Sequence, residues 1–311
     1  IGCNSVQLHT EKKNNRMQLH TKKNLRDRLT QAAPRLICVA SHGACRAFQS
    51  YQARNTNMKN AKTFQFKSKT INAGLDAKTI KGNGEDYITA IQYMKPYKTL
   101  GANLCPMAET AGCLSGCLNT AGRGQMNSVQ EARQRKAVAF VSNRNDYMKQ
   151  LALDVARFAG WAARKGLKPA VRLNGTTDIR FENIAVEYMG KRFENIFQAF
   201  PAVQFYDYTK IANRALDIQN YHLTFSYSAA SALYLKQLDK AVARGMSVAV
   251  VFRDKETIPP FFLGMPTVDG DKNDMRFLDP ARVVVALYAK GAAKRDQSGF
   301  VVDHIAQAVA A

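Results

Sequence analysis

The chain has 311 residues, 46% of them hydrophobic, and a formal net charge of +21. That length suits one large domain or two ordinary ones, and that composition excludes global disorder. No stretch reaches the roughly 18 consecutive apolar residues that span a bilayer, no apolar h-region follows the basic N-terminus, and six cysteines are too few for a disulfide scaffold, so a reducing, cytoplasmic setting without a membrane is expected.

Residues 1–57 differ from the rest. They carry ten basic side chains against Glu11 and Asp27, are rich in Asn, Gln, His and Thr, and have almost no apolar period. Two readings stand: a poorly structured basic arm that binds nucleic acid, or an extension of the gene model upstream of the true start, with Met58 opening the protein. Either way 58–311 is expected to be the folded domain, and its balance of Lys and Arg over Asp and Glu is still +13.

From Met58 to Pro96 the pattern is mixed. Tyr97 to Leu104 reads as a short strand entering a loop, Cys105 to Gly124, that holds three cysteines. Ser128 to Lys165 shows apolar residues at three- and four-residue spacing, which predicts helix, broken near Asn143 and Asn145, with Ser128 and Glu131 as a capping box. Strands are predicted at 168–174, 203–208, 221–227, 247–252 and 283–287, and helices at 187–200 and 231–244, with Gly245 ending the latter. Strand and helix in alternation mean a parallel sheet, so the expected fold is α/β: a complete or partial (β/α) barrel with its polar residues at the carboxyl ends of the strands. Neither G-x-G-x-x-G after the first strand nor G-x-x-x-x-G-K-[ST] is present, which weighs against nucleotide folds of those types.

The chemical signal is Cys105-Pro-Met-Ala-Glu-Thr-Ala-Gly-Cys113-Leu-Ser-Gly-Cys117, a C-x7-C-x3-C loop (105–117). Thiolates bind soft metals, and Gly112, Ser115 and Gly116 are small enough for the backbone to wrap one. Three ligands leave one position open. Zinc in a structural role usually takes four, whereas an iron–sulfur cluster that keeps one iron for a small molecule needs three. Packing of three buried thiols, or a redox pair, is the plainer alternative.

The stretches Asn103-Leu-Cys105-Pro through Cys117-Leu-Asn119-Thr-Ala-Gly122-Arg123-Gly124, Val171-Arg-Leu-Asn174-Gly175-Thr-Thr-Asp178 and Val203-Gln-Phe-Tyr-Asp-Tyr208-Thr209-Lys210 resemble the mycobacteriophage gene-product-88-like family of phage and mobile-element proteins. So do Asp274-Met-Arg276-Phe277-Leu-Asp279 and Ser298-Gly299-Phe300. The likeness covers most of 58–311 and implies a bacterial host cell as the setting. It carries no established activity. Related chains often have further cysteines near the C-terminus, and here none follows Cys117.

In layout the chain is also similar to the radical S-adenosylmethionine superfamily, where a loop after the first barrel strand holds a 4Fe–4S cluster by three thiolates and the second strand ends in a Gly-rich acidic turn that receives the cofactor. That resemblance implies Cys105, Cys113 and Cys117 as cluster ligands and Asn174, Gly175 and Asp178 against S-adenosylmethionine. The superfamily's usual C-x3-C-x2-C spacing is not met, and Gly116 stands where an aromatic residue is usual.

Among single residues, Asp178 could receive an amine or ribose hydroxyl, or cap a helix. Lys210 could meet a phosphate or carboxylate, or lie in solvent. Tyr206 and Tyr208 share a strand face and could stack a base or fill the core. Arg253 and Asp254 could pair locally. Asp269, Asp271 and Asp274 are not an EF-hand, because Pro280 occupies the twelfth position. His222 reads as a core histidine. Two functions follow: an iron–sulfur radical-type enzyme, or a nucleic-acid-binding protein with a structural metal such as zinc and a basic face of Arg123, Arg133, Arg135 and Lys136.

Overall fold

Runs of Val, Ala and Ile form the middle of one sheet in the computed structural model, which describes residues 64–75, 79 and 86–303. All of these lie in the unit Thr56–Ala311. The basic arm and the boundary expected at Met58 lie outside the described residues. In chain order the elements are β1 (Phe66–Lys67), β2 (Ile71–Ala73), β3 (Tyr87–Gln92), α1 (Asn127–Ser142), α2 (Arg144–Arg164), β4 (Lys168–Arg172), β5 (Val186–Tyr188), β6 (Lys191–Phe193), α3 (Ile196–Ala199), β7 (Gln204–Thr209), β8 (Tyr221–Ser226), α4 (Ala232–Ala243), β9 (Val248–Phe252), β10 (Phe261–Phe262), β11 (Met265–Asp269), β12 (Val284–Tyr288) and β13 (Val301–Val302).

The sheet runs β1-β2-β3-β4-β7-β8-β9-β12-β11-β10. Its centre, β3 to β11 in that order, is parallel, and β1–β2 and β10 extend it antiparallel. The strands expected near 170, 205, 223 and 249 are thus parallel neighbours. From β3 to β9 each strand joins the sheet beside its predecessor, and right-handed crossovers then put every connecting helix on one face. The main core lies there: Phe140, Leu151, Val155 and Phe158 of α1 and α2, with Tyr234 and Leu238 of α4, pack on Ile88, Val171, Phe205, Phe225 and Val250. The opposite face carries Ala249, Val285, Tyr208 and Leu287.

Four expectations need correction. Of the complete or partial barrel expected, the complete form is overturned: among the described residues the sheet is open and mostly parallel. Its edge strands, β1 and β10, have two residues each, and no ladder joins them; the links β7–β8 and β11–β12 carry no α-helix, so the repeating βα unit a barrel needs is broken. The strand entering the cysteine loop is β3, and 97–104 holds only an isolated bridge between Thr99 and Ala102. The helix expected over 187–200 is a β5–β6 hairpin followed by the single turn α3. Met189 and Gly190 both have positive φ, 50° and 73°, as a two-residue hairpin turn of matching twist requires. The cap expected at Ser128 is absent: Met126 stands at the N-cap of α1 and supplies no side-chain bond. The break near Asn143 is as expected, with Asn143 Oδ1 accepting from Asp146 N of α2.

One feature of topology shapes the site. β8 pairs with β9 only at Val248 and Ala249, and further along the same edge β13 pairs with β9 at Val251 and Phe252. The last described strand, β13, is therefore a wedge between β8 and β9 at their carboxyl ends.

Candidate functional site

The loop between β3 and α1 is tied down by its backbone carbonyls. Ser231 Oγ donates to Thr110 O (2.9 Å), Ser228 Oγ to Ala111 O (2.8 Å) and Ser298 Oγ to Gly112 O (2.9 Å). Two of these serines come from the β8–α4 junction and the third from the segment leading into the wedge. Gly112 has φ +63°, and a Cβ there would stand 2.6 Å from Ser298 Oγ and 2.8 Å from the Ala230 methyl, so only glycine fits. Asp178 N donates to Leu104 O (2.8 Å), which fixes the loop's other end against the turn after β4.

Cys105, Cys113 and Cys117 all face one cavity of about 1010 Å³ at the carboxyl ends of the strands. Asn174, Gly175, Asp178, Tyr208 and Lys210 line the same space, so every residue singled out in the sequence as a metal or cofactor contact meets there. Cys105 and Cys113 are buried and Cys117 half-buried, none in a disulfide. Cys113 Sγ donates to Ala108 O (3.5 Å), and Cys117 Sγ accepts from Asn119 N (3.4 Å). Burial pushes the Cys105 thiol up to about 12, against the opposing charge of Lys210. Burial likewise raises Cys117, which feels both Lys210 and Arg133. Burial disfavours the Lys210 charge, yet Cys113 and Cys105 beside it hold its pKa above the ordinary lysine value. Among the described residues no three His, Cys, Asp or Glu side chains are grouped to hold a metal ion.

The turn after β4 is built from within. Asn174 donates through its backbone N and Nδ2 to Asp207 (2.7 and 3.0 Å), and its Oδ1 accepts from Thr177 Oγ1 and Ile179 N (both 2.8 Å). Asp178 caps no helix. Its carboxylate accepts from Lys210 N (2.7 Å) and pairs with Arg214 (2.9 Å). Asn174 and Asp178 therefore shape the wall with their polar atoms already engaged, while Lys210 turns its amine toward the thiols and, among the described residues, pairs with no carboxylate. Gly175 passes against β3, and a Cβ would stand 2.6 Å from Gln92 O.

Sequence reasoning missed the supports. Arg214, fully buried, bridges Asp178 and Glu182 (2.9 and 2.6 Å). Its Nη2 also reaches Tyr221 Oη (2.9 Å), which donates to Asp207 (3.0 Å). Arg172 pairs with Asp274 (3.0 Å) and lies 4.5 Å over the Tyr208 ring. Tyr206 is buried beneath, its hydroxyl within 3.4 Å of Asp274. No pattern of spacing announces such pairs across 32 to 102 residues of chain. The basic face expected around α1 divides: Arg135 is exposed and pairs with Glu131, whereas Arg123, Arg133 and Lys136 line the cavity. Arg253 pairs with Asp303, and His222 Nε2 is buried without a hydrogen bond among the described residues. Among those residues, no helix is long and apolar enough to cross a membrane.

No curated protein and no solved structure matches the chain. One family profile does, that of gene product 88, over residues 61–304, from just ahead of β1 to just past β13 and including the cysteine loop, the β4 turn and the wedge. With that span well over half the chain, the protein belongs to the gene product 88 family.

Proposed function

We propose that the cavity is the active site of an iron–sulfur enzyme, with Cys105, Cys113 and Cys117 as the three ligands of a 4Fe–4S cluster and S-adenosylmethionine beside it. The observation that carries this reading is that three thiols spaced over 13 residues open into one cavity with Lys210 and the β4 turn. The donor set suits the group: sulfur ligands, a backbone N–H on Cys117 Sγ, and the cations Lys210 and Arg133 near enough to Cys117 to offset thiolate charge. Among the described residues no three His, Cys, Asp or Glu side chains are grouped for one ion, so the thiols must draw together to hold a cluster or a zinc alike. When bound, such a cluster supplies one-electron chemistry.

The chain's own part is positional. The serine bonds to 110–112 fix the loop, Gly175 lets the β4 turn lie flush on β3, and Lys210 offers a cation to a carboxylate of the cofactor. Tyr208, clamped by Arg172, forms part of the floor.

Anaerobic reconstitution with iron and sulfide tests the reading. The expected result is about four irons and four sulfides per chain with a broad visible charge-transfer band, each lost in Cys105→Ala, Cys113→Ala and Cys117→Ala. Iron far below stoichiometric in the wild-type chain refutes it.

A further inference from the structure

The wall of the cavity beside the first turn of α1 has a chemistry of its own. Arg123, Arg133 and Lys136 line it, together with Ser128 and Val129 of that turn. The turn has no acidic residue and no side-chain cap, so its N–H groups add to the positive field. Among the described residues, the carboxylates that line the cavity are engaged elsewhere: Asp178 with Arg214, Asp271 with Lys290 and Asp274 with Arg172. Arg123 donates to Leu75 O (3.0 Å) and Lys136 to Thr70 O (3.2 Å), both neutral carbonyls, and the buried Asp154, which accepts from Thr70, also attracts Lys136. Arg133 is held in place by Asn119 O and Oδ1 (2.5 and 3.0 Å) and by the Tyr93 ring, 5.0 Å away. Gly124 makes room for it, since a Cβ there would stand 3.0 Å from Arg133 Nη1.

Cations brought together in a half-buried wall repel one another unless an anion joins them. At Lys136 burial, and after it Arg133, lower the pKa to about 8, against the attraction of Asp154. Two guanidinium groups with an ammonium, at the positive end of a helix, are a donor set matched to the oxygens of a phosphate.

We infer that Arg123, Arg133 and Lys136 bind the phosphate of a small phosphorylated substrate in the cavity that Lys210 also lines. An enclosed site with Arg133 buried and Lys136 half-buried favours a molecule that enters over a polymer laid across the surface. The inference deepens the enzyme reading by naming its substrate class, but phosphate binding itself needs no cluster.

The test is calorimetric titration of the full-length chain with inorganic pyrophosphate at about 150 mM salt, before and after reconstitution. Binding in both states is expected, weakened about tenfold in Lys136→Gln and in Arg123→Gln. Lys136→Arg should retain it. The exposed Arg123 keeps the test sound if Lys136→Gln misfolds. Iron loading should be unchanged in both variants, so a failure to load iron refutes the cluster alone. No pyrophosphate binding, or binding that both variants leave intact, overturns the inference. So does a single-stranded oligonucleotide that binds through these residues where pyrophosphate does not, an outcome that makes the site a nucleic-acid contact.

Discussion

Asp207 shows how a single residue couples the site to solution conditions. Burial raises its pKa from 3.8 to about 6, against the donors Asn174 N and Tyr221 Oη. The sign follows: a carboxyl held above its unfolded value binds more protons in the folded chain, so stability is greater below about pH 4 and falls as pH rises through 6. The span corresponds to a loss on the order of 3 kcal/mol. Urea unfolding from pH 4 to pH 7 should show that decline, and Asp207→Asn should flatten it. An unchanged slope in the variant would place the titrating group elsewhere. At Gly175 the expected cost is steric. Gly175→Ala puts a methyl against Gln92 O, Ile91 and Tyr93, and should destabilise by about 1–3 kcal/mol, read as a lower Tm. The residues that face the cavity were legible because thiols, glycines and strand-end polar groups stand out in a sequence. Arg214, and the bonds that Asp274 and the three serines make, were not, since ion pairs and hydroxyl bonds across more than 30 residues leave no local pattern.

At the scale of elements, what could be read was whatever packs by its own period. α1, α2, α4 and the five central strands β4, β7, β8, β9 and β12 are apolar at helical spacing or in β-branched runs, and they stand within a residue or two of their expected limits. β5 and β6 were misread because Tyr188-Met-Gly-Lys191 carries its turn signal in backbone sign, φ positive at both central residues, which Met does not advertise. β1, β2, β10 and β13 have two or three residues each and depend on partners rather than propensity. The three serines that hold 110–112 act as one element. Ser228→Ala and Ser298→Ala should each cost about 1 kcal/mol and, more specifically, speed amide exchange at 108–113 without changing it in α2. Uniform acceleration everywhere would mean a general loss of stability instead.

For the molecule as a whole, right-handed connections leave one face of the sheet to helices and the other to the cavity, whose floor at the carboxyl ends is then closed by the wedge. A chain ending at Gln297 loses β13 and the Ser298 bond. It should keep the helical face but expose the loop, so that Cys113 is alkylated at least about tenfold faster, measured by mass spectrometry with Cys105 as the companion site. Equal protection in both chains would show that β8 and β9 close unaided. The wedge also gives the site a timetable. Cys117 leaves the ribosome about 185 residues ahead of Val302, and at roughly 5–20 residues per second the thiols wait about 10–40 seconds before the strand that seals them exists. Translation speed therefore sets how long three cysteines remain open to whatever metal or oxidant the cell offers.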